Sequence, residues 1–223
     1  MGRIEVVSAP GVPVAEPFLL RLAGWTEERY FAEAPEDRLW EFEKGELLVH
    51  SPATPRHQEI VGILAFLLRG YAEERGLGKV FTGPAVLRLR EGVAKEPDIF
   101  VILNNRMENI APTRVEGPAD LVVEVASAGT RSYDMGEKAG VYQEGEVQEY
   151  WVVDPDRRAV VVHRIPGWQV TTHTQGRLPS SALRGFWIEV DWLWPDPQPA
   201  ALPCLQRILE HLSPPGAREL PRA

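Results

Sequence analysis

Hydrophobic periodicity divides the chain into predicted helices and strands. Apolar residues spaced 3.6 residues apart follow Thr54 and Pro55 and end at Gly76, which predicts a long core helix. Thr26 followed by acidic residues predicts a short earlier helix. The predicted helices cover residues 26–31, 54–76 and 131–144, and the predicted strands cover residues 39–43, 46–50, 79–88, 98–103, 120–126, 149–154, 159–164, 169–174 and 186–190.

The two ends of the chain lack this periodicity. Residues 1–20 contain three prolines and are predicted to form an extended N-terminal arm. Residues 195–203 are a proline-rich connector, and the predicted terminal unit, residues 195–223, joins this connector to a C-terminal helix and tail. Residues 21–194 between them are predicted to form one compact domain.

Composition narrows the class of protein. The chain has 223 residues, 44% of them hydrophobic, and a net charge of −8, which argues against a uniformly basic nucleic-acid-binding surface but is compatible with a local basic groove. Cys204 is the single cysteine, so the sequence excludes an internal disulfide and a cysteine-based zinc site. No signal pattern or membrane-spanning run is present, which predicts a cytoplasmic protein with no membrane association.

Two acidic residues stand where the pattern predicts buried strands. Glu124 interrupts the apolar run of residues 121–126, and Asp98 opens the strand of residues 98–103. A buried carboxylate must be paired, hydrogen-bonded or bound to a metal, because uncompensated desolvation is costly. Carboxylates on neighbouring strand ends suit a divalent cation such as Mg²⁺ or Mn²⁺. The alternative is a structural role in which each acid pairs with arginine.

The helix predicted over residues 131–144 offers a cation for the same place. Arg131, Asp134, Lys138 and Tyr142 fall on one side of this helix, beside its apolar face. Lys138 there could hold a water molecule or offset charge on a phosphate in a transition state. The alternative is a solvated lysine on a helix flank.

Two further candidates precede this region. His57 lies close to the centre of the apolar stripe of the long helix, so it is predicted to point inward and to contact a metal or substrate, or to serve as a structural histidine. Glu46 alternates in phase with Leu48 and His50 in the preceding strand and is a candidate acid.

Several motifs together resemble a known family. They are Pro97-Asp98, the run 120–127 (DLVVEVAS), and Asp134, Lys138 and Tyr142 followed by the run 147–155 (VQEYWVVDP), with Gly45-Glu46-Leu47, Ser51-Pro52 and His57 upstream. Across most of its length the chain resembles the Uma-type family of putative restriction endonucleases within the PD-(D/E)XK nuclease superfamily.

This resemblance implies a restriction endonuclease-like α/β (α+β) fold: a mixed β-sheet core flanked by helices, with additional β-hairpins. It implies that Asp98, Glu124 and the backbone carbonyl of Val125 bind Mg²⁺ or Mn²⁺ for hydrolysis of phosphodiester bonds.

One position departs from the superfamily pattern. Lysine is expected two residues after the second acid, where this chain has Ala126. In the family the lysine comes from the next helix, which makes Lys138 the replacement and Lys95 the second candidate.

The resemblance therefore predicts an endonuclease whose partner is nucleic acid, DNA first. One alternative is a catalytically degenerate nuclease-fold protein that binds nucleic acid or a protein as a regulator. Another is an interaction module whose buried acids pair only with arginine. A free strand edge expected at the hairpin of residues 149–164, together with the amphipathic segment 202–212, predicts a homodimer.

Overall fold

The computed structural model describes residues 7–9, 12–13, 18–34 and 39–210. Most of the predicted N-terminal arm and the last part of the predicted C-terminal unit, residues 211–223, lie outside the described residues. The division into three segments therefore stays a prediction. Within the described ranges, no helix is long and apolar enough to cross a membrane.

The strands of the fold are short. They are β1 Val7–Ala9, β2 Val12–Pro13, β3 Leu19–Ala23, β4 Trp40–Glu43, β5 Glu46–His50, β6 Gly78–Thr82, β7 Leu87–Arg90, β8 Val93–Lys95, β9 Ile99–Leu103, β10 Val115–Glu116, β11 Leu121–Val125, β12 Glu149–Asp154, β13 Ala159–Arg164, β14 Gln169–His173, β15 Arg177–Pro179 and β16 Trp187–Glu189.

Helices connect and cover these strands. They are α1 Glu27–Glu33, α2 Pro55–Glu74, α3 Arg131–Met135, α4 Glu137–Glu144 and α5 Ala201–Glu210, with 3-10 helices at Asn104–Asn109 and Val190–Leu193. The start of α2 is fixed as the sequence predicts. Thr54 Oγ1 accepts a hydrogen bond from the His57 amide at 3.2 Å, and Pro55 occupies the first turn.

Two mixed sheets carry the architecture. The hairpin sheet has the order β10-β7-β8-β4-β5-β3, and the central sheet has the order β14-β13-β12-β11-β9-β6. In the central sheet β11 runs parallel to β12 and antiparallel to β9, and the remaining pairs are antiparallel. The expected mixed-sheet core flanked by helices, with added hairpins, is confirmed.

The central sheet is buried on both faces over the strands β9, β11 and β12. One face packs against α2 and α5, with Val123, Trp151 and Ile208 in the same apolar cluster. The other face packs against α4 and strands of the hairpin sheet, with Val122 and Ala126 in a second cluster. Glu124 alternates in phase with Val122 and Ala126, so its side chain lies on the α4 side.

Four sequence expectations need correction. The strand predicted over 79–88 is two strands, β6 and β7, which belong to different sheets, and the short strand β8 was missed. The helix predicted over 131–144 breaks at Gly136, where a Cβ atom would lie 2.9 Å from the Ser132 carbonyl oxygen. The hairpin of residues 149–164 is not a free edge, because β12 pairs with β11 and β13 pairs with β14.

Candidate active site

A cavity of about 970 Å³ opens between the start of α2, the ends of β9 and β11, and the helices α3 and α4. Asp98, Glu124 and Asp134 line it together with His57 and Lys138. The structure therefore brings four of the five predicted site side chains to one cavity. Glu46 is the exception.

Asp98 and Glu124 meet because of the strand register. Ile99 pairs with Val123 across the antiparallel strands β9 and β11, and one further step along this register places Asp98 opposite Glu124. Directly opposed residues point to the same side of a sheet, with Cβ atoms about 5 Å apart. Two acids separated by 26 positions in sequence thus become neighbours at the end of the central sheet.

The Asp98 carboxylate is held through one of its oxygens. Oδ2 accepts a hydrogen bond from the Val125 amide at 2.7 Å and lies 3.1 Å from His57 Nε2. Oδ1 has no hydrogen-bond partner among the described residues, and the side chain is 15% exposed. Burial lowers the pKa of His57, but the hydrogen bond to Asp98 and the charges of Asp98 and Asp134 together outweigh that effect, so the pKa is raised overall.

The Glu124 carboxylate is held in the same one-sided way. Oε1 accepts a hydrogen bond from the Tyr142 hydroxyl at 2.7 Å and lies 2.7 Å from Lys138 Nζ. In the described part of the chain, Oε2 has no hydrogen-bond partner. In each of the two acids, one carboxylate oxygen is therefore bonded to protein groups, and the other is available to a ligand in the cavity.

Negative charge accumulates around Glu124. Burial raises the pKa of its carboxyl to about 8, Lys138 opposes the rise, and the charges of Asp98, Asp134 and Glu41 add to it. Burial also raises the pKa of Asp134, which is 3% exposed. A site with this balance favours an additional cation.

Lys138 is buried rather than solvated. Its side chain is 1% exposed, and Nζ lies 2.7 Å from Glu124 Oε1 and 2.9 Å from Glu41 Oε1. Burial lowers the pKa of the ammonium, but Glu124 and Glu41 raise it well above its usual value, so the group stays charged. The small residue Ala126 lies on the same strand face as Glu124, where a longer side chain would compete for this space.

Lys95 lies outside the cavity lining. Its fully buried Nζ bonds to Glu43 Oε2 and to the Tyr133 hydroxyl, each at 2.7 Å, and lies 3.5 Å from Glu41 Oε2. Lys138 is therefore the lysine that the structure brings to Glu124.

Glu46 lies away from the cavity. It stands at the turn end of β5, opposite Glu43, and bonds to Arg21 at 3.2 Å with 39% of its side chain exposed. Glu46 does share a strand face with His50, as its spacing in the sequence indicates, and His50 lines the cavity. The acid that this sheet contributes near Lys138 is Glu41, which the sequence analysis missed.

The partners of the two central acids exclude pairing with arginine alone. Asp98 contacts a histidine and a backbone amide, and Glu124 contacts a lysine and a tyrosine. No ready-made group of three or more His, Cys, Asp or Glu side chains suited to a metal occurs within the described ranges. Any metal site here thus combines the two acids with other ligands.

Comparisons with known proteins identify a family and a related fold. The Uma2 family, described as "Putative restriction endonuclease", matches residues 26–191. A solved structure described as a putative nuclease belonging to DUF820 from Anabaena variabilis ATCC 29413 superposes with a TM-score of 0.64 at 16% identity, covering 74% of this chain and 94% of that one. No curated protein matches. The structural likeness shows a shared nuclease-like fold.

Proposed function

The chain belongs to the Uma2 family of putative restriction endonucleases, and from this premise we propose that it is a Mg²⁺-dependent nuclease that hydrolyses phosphodiester bonds in nucleic acid, DNA in the first place. The observation that carries the proposal is the 2.7 Å contact between Lys138 Nζ and Glu124 Oε1. Lys138 of α4 would thereby replace the lysine that the superfamily pattern expects at the position of Ala126.

The residues present fit a divalent cation. Asp98 Oδ1 and Glu124 Oε2 are hard oxygen donors that have no hydrogen-bond partner among the residues the structure describes, and the surrounding charge is in excess on the negative side. Asp98, Glu124 and the Val125 carbonyl would hold Mg²⁺ or Mn²⁺. When bound, such an ion polarises a phosphate and lowers the pKa of a water ligand.

The chain's own groups would prepare this site before substrate arrives. His57 and the Val125 amide fix Asp98 through Oδ2, while Tyr142 and Lys138 fix Glu124 through Oε1. Charge-assisted hydrogen bonds of this kind hold carboxylates in one orientation. The Lys138 ammonium, kept charged by its two acids, would stabilise negative charge that develops on the phosphate.

A cleavage assay tests the proposal. Single-stranded, double-stranded and branched DNA and RNA are incubated with the protein in Mg²⁺, Mn²⁺ or EDTA. Cleavage is expected with a divalent ion, is lost in EDTA and is lost in Asp98→Asn, while the matched surface variant Glu46→Gln keeps it. Salt-sensitive binding without cleavage under every condition would instead favour the catalytically degenerate binding protein.

The homodimer stays a prediction, and one of the two surfaces proposed for it is no longer available. The hairpin of residues 149–164 is covered on both sides, which leaves the outer face of α5, where Leu202 is 56% exposed. Sedimentation at micromolar concentration would decide it, and a monomer would remove this expectation.

A further inference from the structure

Glu41 is a charged residue that the proposed chemistry does not use. It lies on β4 between Trp40 and Phe42, and its side chain is fully buried. It does not line the cavity. Because an uncompensated buried carboxylate is strongly destabilising, its partners show what keeps it there.

Both carboxylate oxygens of Glu41 face cations. Oε1 lies 2.9 Å from Lys138 Nζ and also accepts a hydrogen bond from the Glu96 amide at 3.3 Å. Oε2 lies 3.5 Å from Lys95 Nζ and 3.4 Å from His50 Nε2. Burial raises the pKa of Glu41, but Lys138 and Lys95 lower it well below its usual value, so the carboxylate stays charged.

These contacts extend into a chain of alternating charges, here called the charge network: Glu43, Lys95, Glu41, Lys138 and Glu124. It runs from the hairpin sheet through α4 to the central sheet. Lys95 and Lys138 each have one acid on each side, and Lys138 is the one that contacts Glu124. A lysine ammonium on a flexible stem needs such fixed partners to stay in one place.

We infer that Glu41 is a positioning residue that holds Lys138 Nζ against Glu124 at the cavity. This inference rests on the proposed nuclease function for its kinetic consequence, but the position of Lys138 is a separate property. Glu41 acts through Lys138, because it reaches neither the cavity nor Asp98. Through Glu41 the hairpin sheet thereby contributes to the site with a group that does not itself line the cavity.

The kinetic test compares Glu41→Gln, Glu41→Asp and Glu46→Gln. Misplacement of a reacting group by an ångström lowers rates by about 100-fold, so kcat of Glu41→Gln is expected to fall by about that factor with KM unchanged. Glu41→Asp keeps the charge and should recover part of kcat. Glu46→Gln, on the same face but exposed, should behave as wild type. Wild-type kcat in Glu41→Gln would overturn the inference.

A second readout does not depend on activity. The chain has four lysines, so acetylation followed by peptide mass analysis reports on each one. Lys44 and Lys79 are exposed and serve as internal standards. Acetylation of Lys138 relative to these standards should rise about tenfold in Glu41→Gln, as expected for loss of one of two fixed partners. In Glu43→Gln, the acetylation of Lys95 should rise instead.

The two failures are distinguishable. If wild type cleaves no substrate but Lys138 is released in Glu41→Gln, the nuclease proposal fails and the positioning role stands. If wild type cleaves and Lys138 stays protected in Glu41→Gln, the positioning role fails. Should Glu41→Gln not fold, the charge-balanced variant Glu41→Gln/Lys95→Met replaces it in both tests, with the same expected and contradicting results for Lys138.

Discussion

The Tyr142 hydroxyl donates a hydrogen bond to Glu124 Oε1 over 2.7 Å, and Lys138 Nζ contacts the same oxygen at the same distance. Both donors come from α4, one turn apart. They hold one oxygen of the carboxylate and leave the other for the cavity. A helix therefore determines the orientation of an acid that belongs to the central sheet.

We expect Tyr142→Phe to lower the free energy of unfolding by about 2 kcal/mol at a pH above the pKa of Glu124, since a buried hydrogen bond to a charged acceptor is lost. Urea denaturation measures this. Tyr150→Phe is the matched control, because Tyr150 is also fully buried, packs against Tyr142 and donates to the neutral Asp134 carbonyl at 3.0 Å. Its cost should be about 1 kcal/mol. Equal costs for the two variants would contradict the role given to the Glu124 contact.

Divalent ions should stabilise the fold through Asp98. A ligand at about 100 times its Kd stabilises the folded state by about 2.7 kcal/mol, so Mn²⁺ should raise Tm of wild type above its value in EDTA. Asp98→Asn keeps an oxygen acceptor for the Val125 amide but loses the charge, and its Tm should not respond to Mn²⁺. Calorimetry measures both. An equal rise in the variant would place the ion elsewhere.

The sequence alone predicted the fold correctly wherever local signals and long-range packing agree. Thr54 and Pro55 start α2, and the strands predicted at residues 149–154 and 159–164 have the observed bounds. The burial of Glu124 also followed from its apolar neighbours, because an acid within such a run has no solvent-facing side.

The rest depended on tertiary contacts that no local pattern encodes. Glu41 and Glu43 alternate with Trp40 and Phe42, which is typical of a half-exposed strand, whereas Glu41 is fully buried among partners from other elements that include Lys138 of α4 and Lys95 of β8. Glu46 shares this face but lies at the turn end of β5, and the sequence does not show how far the cavity extends along the strand.

Two glycines of α2 should respond differently to alanine. A Cβ atom at Gly70 would lie 2.5 Å from Leu205 Cδ2 of α5, whereas a Cβ atom at Gly62 would meet nothing within 4 Å. Gly62→Ala should therefore stabilise by up to about 1 kcal/mol through helix propensity. Gly70→Ala should keep less of this gain, because the Leu205 side chain must shift to admit the methyl group. Urea denaturation compares them, and equal stabilisation would contradict the close packing of α5 on α2.

Acid should weaken the contact between α1 and β7. The two hydrogen bonds from Arg88 to Glu27, at 2.7 and 2.8 Å, lower the pKa of the Glu27 carboxyl below its usual 4.5. A lowered folded-state pKa stabilises above the unfolded value and is lost as the pH falls through the folded value. Glu27→Gln should thus cost about 1 kcal/mol at pH 7 and less at pH 3. Thermal melts at both pH values test this, with exposed Glu28→Gln as the control. A cost that does not change with pH would contradict it.

The most direct test of the account is the single-turnover cleavage rate of Lys138→Met beside wild type in Mg²⁺, measured well below the Tm of both proteins. Methionine keeps an unbranched side chain up to the position of Cε and removes the ammonium. Because removal of one group that stabilises transition-state charge costs about 100-fold or more, we expect the rate to fall by at least that factor. A rate within about threefold of wild type, a negligible loss on that scale, would contradict the assignment of Lys138 as the relocated lysine of the site.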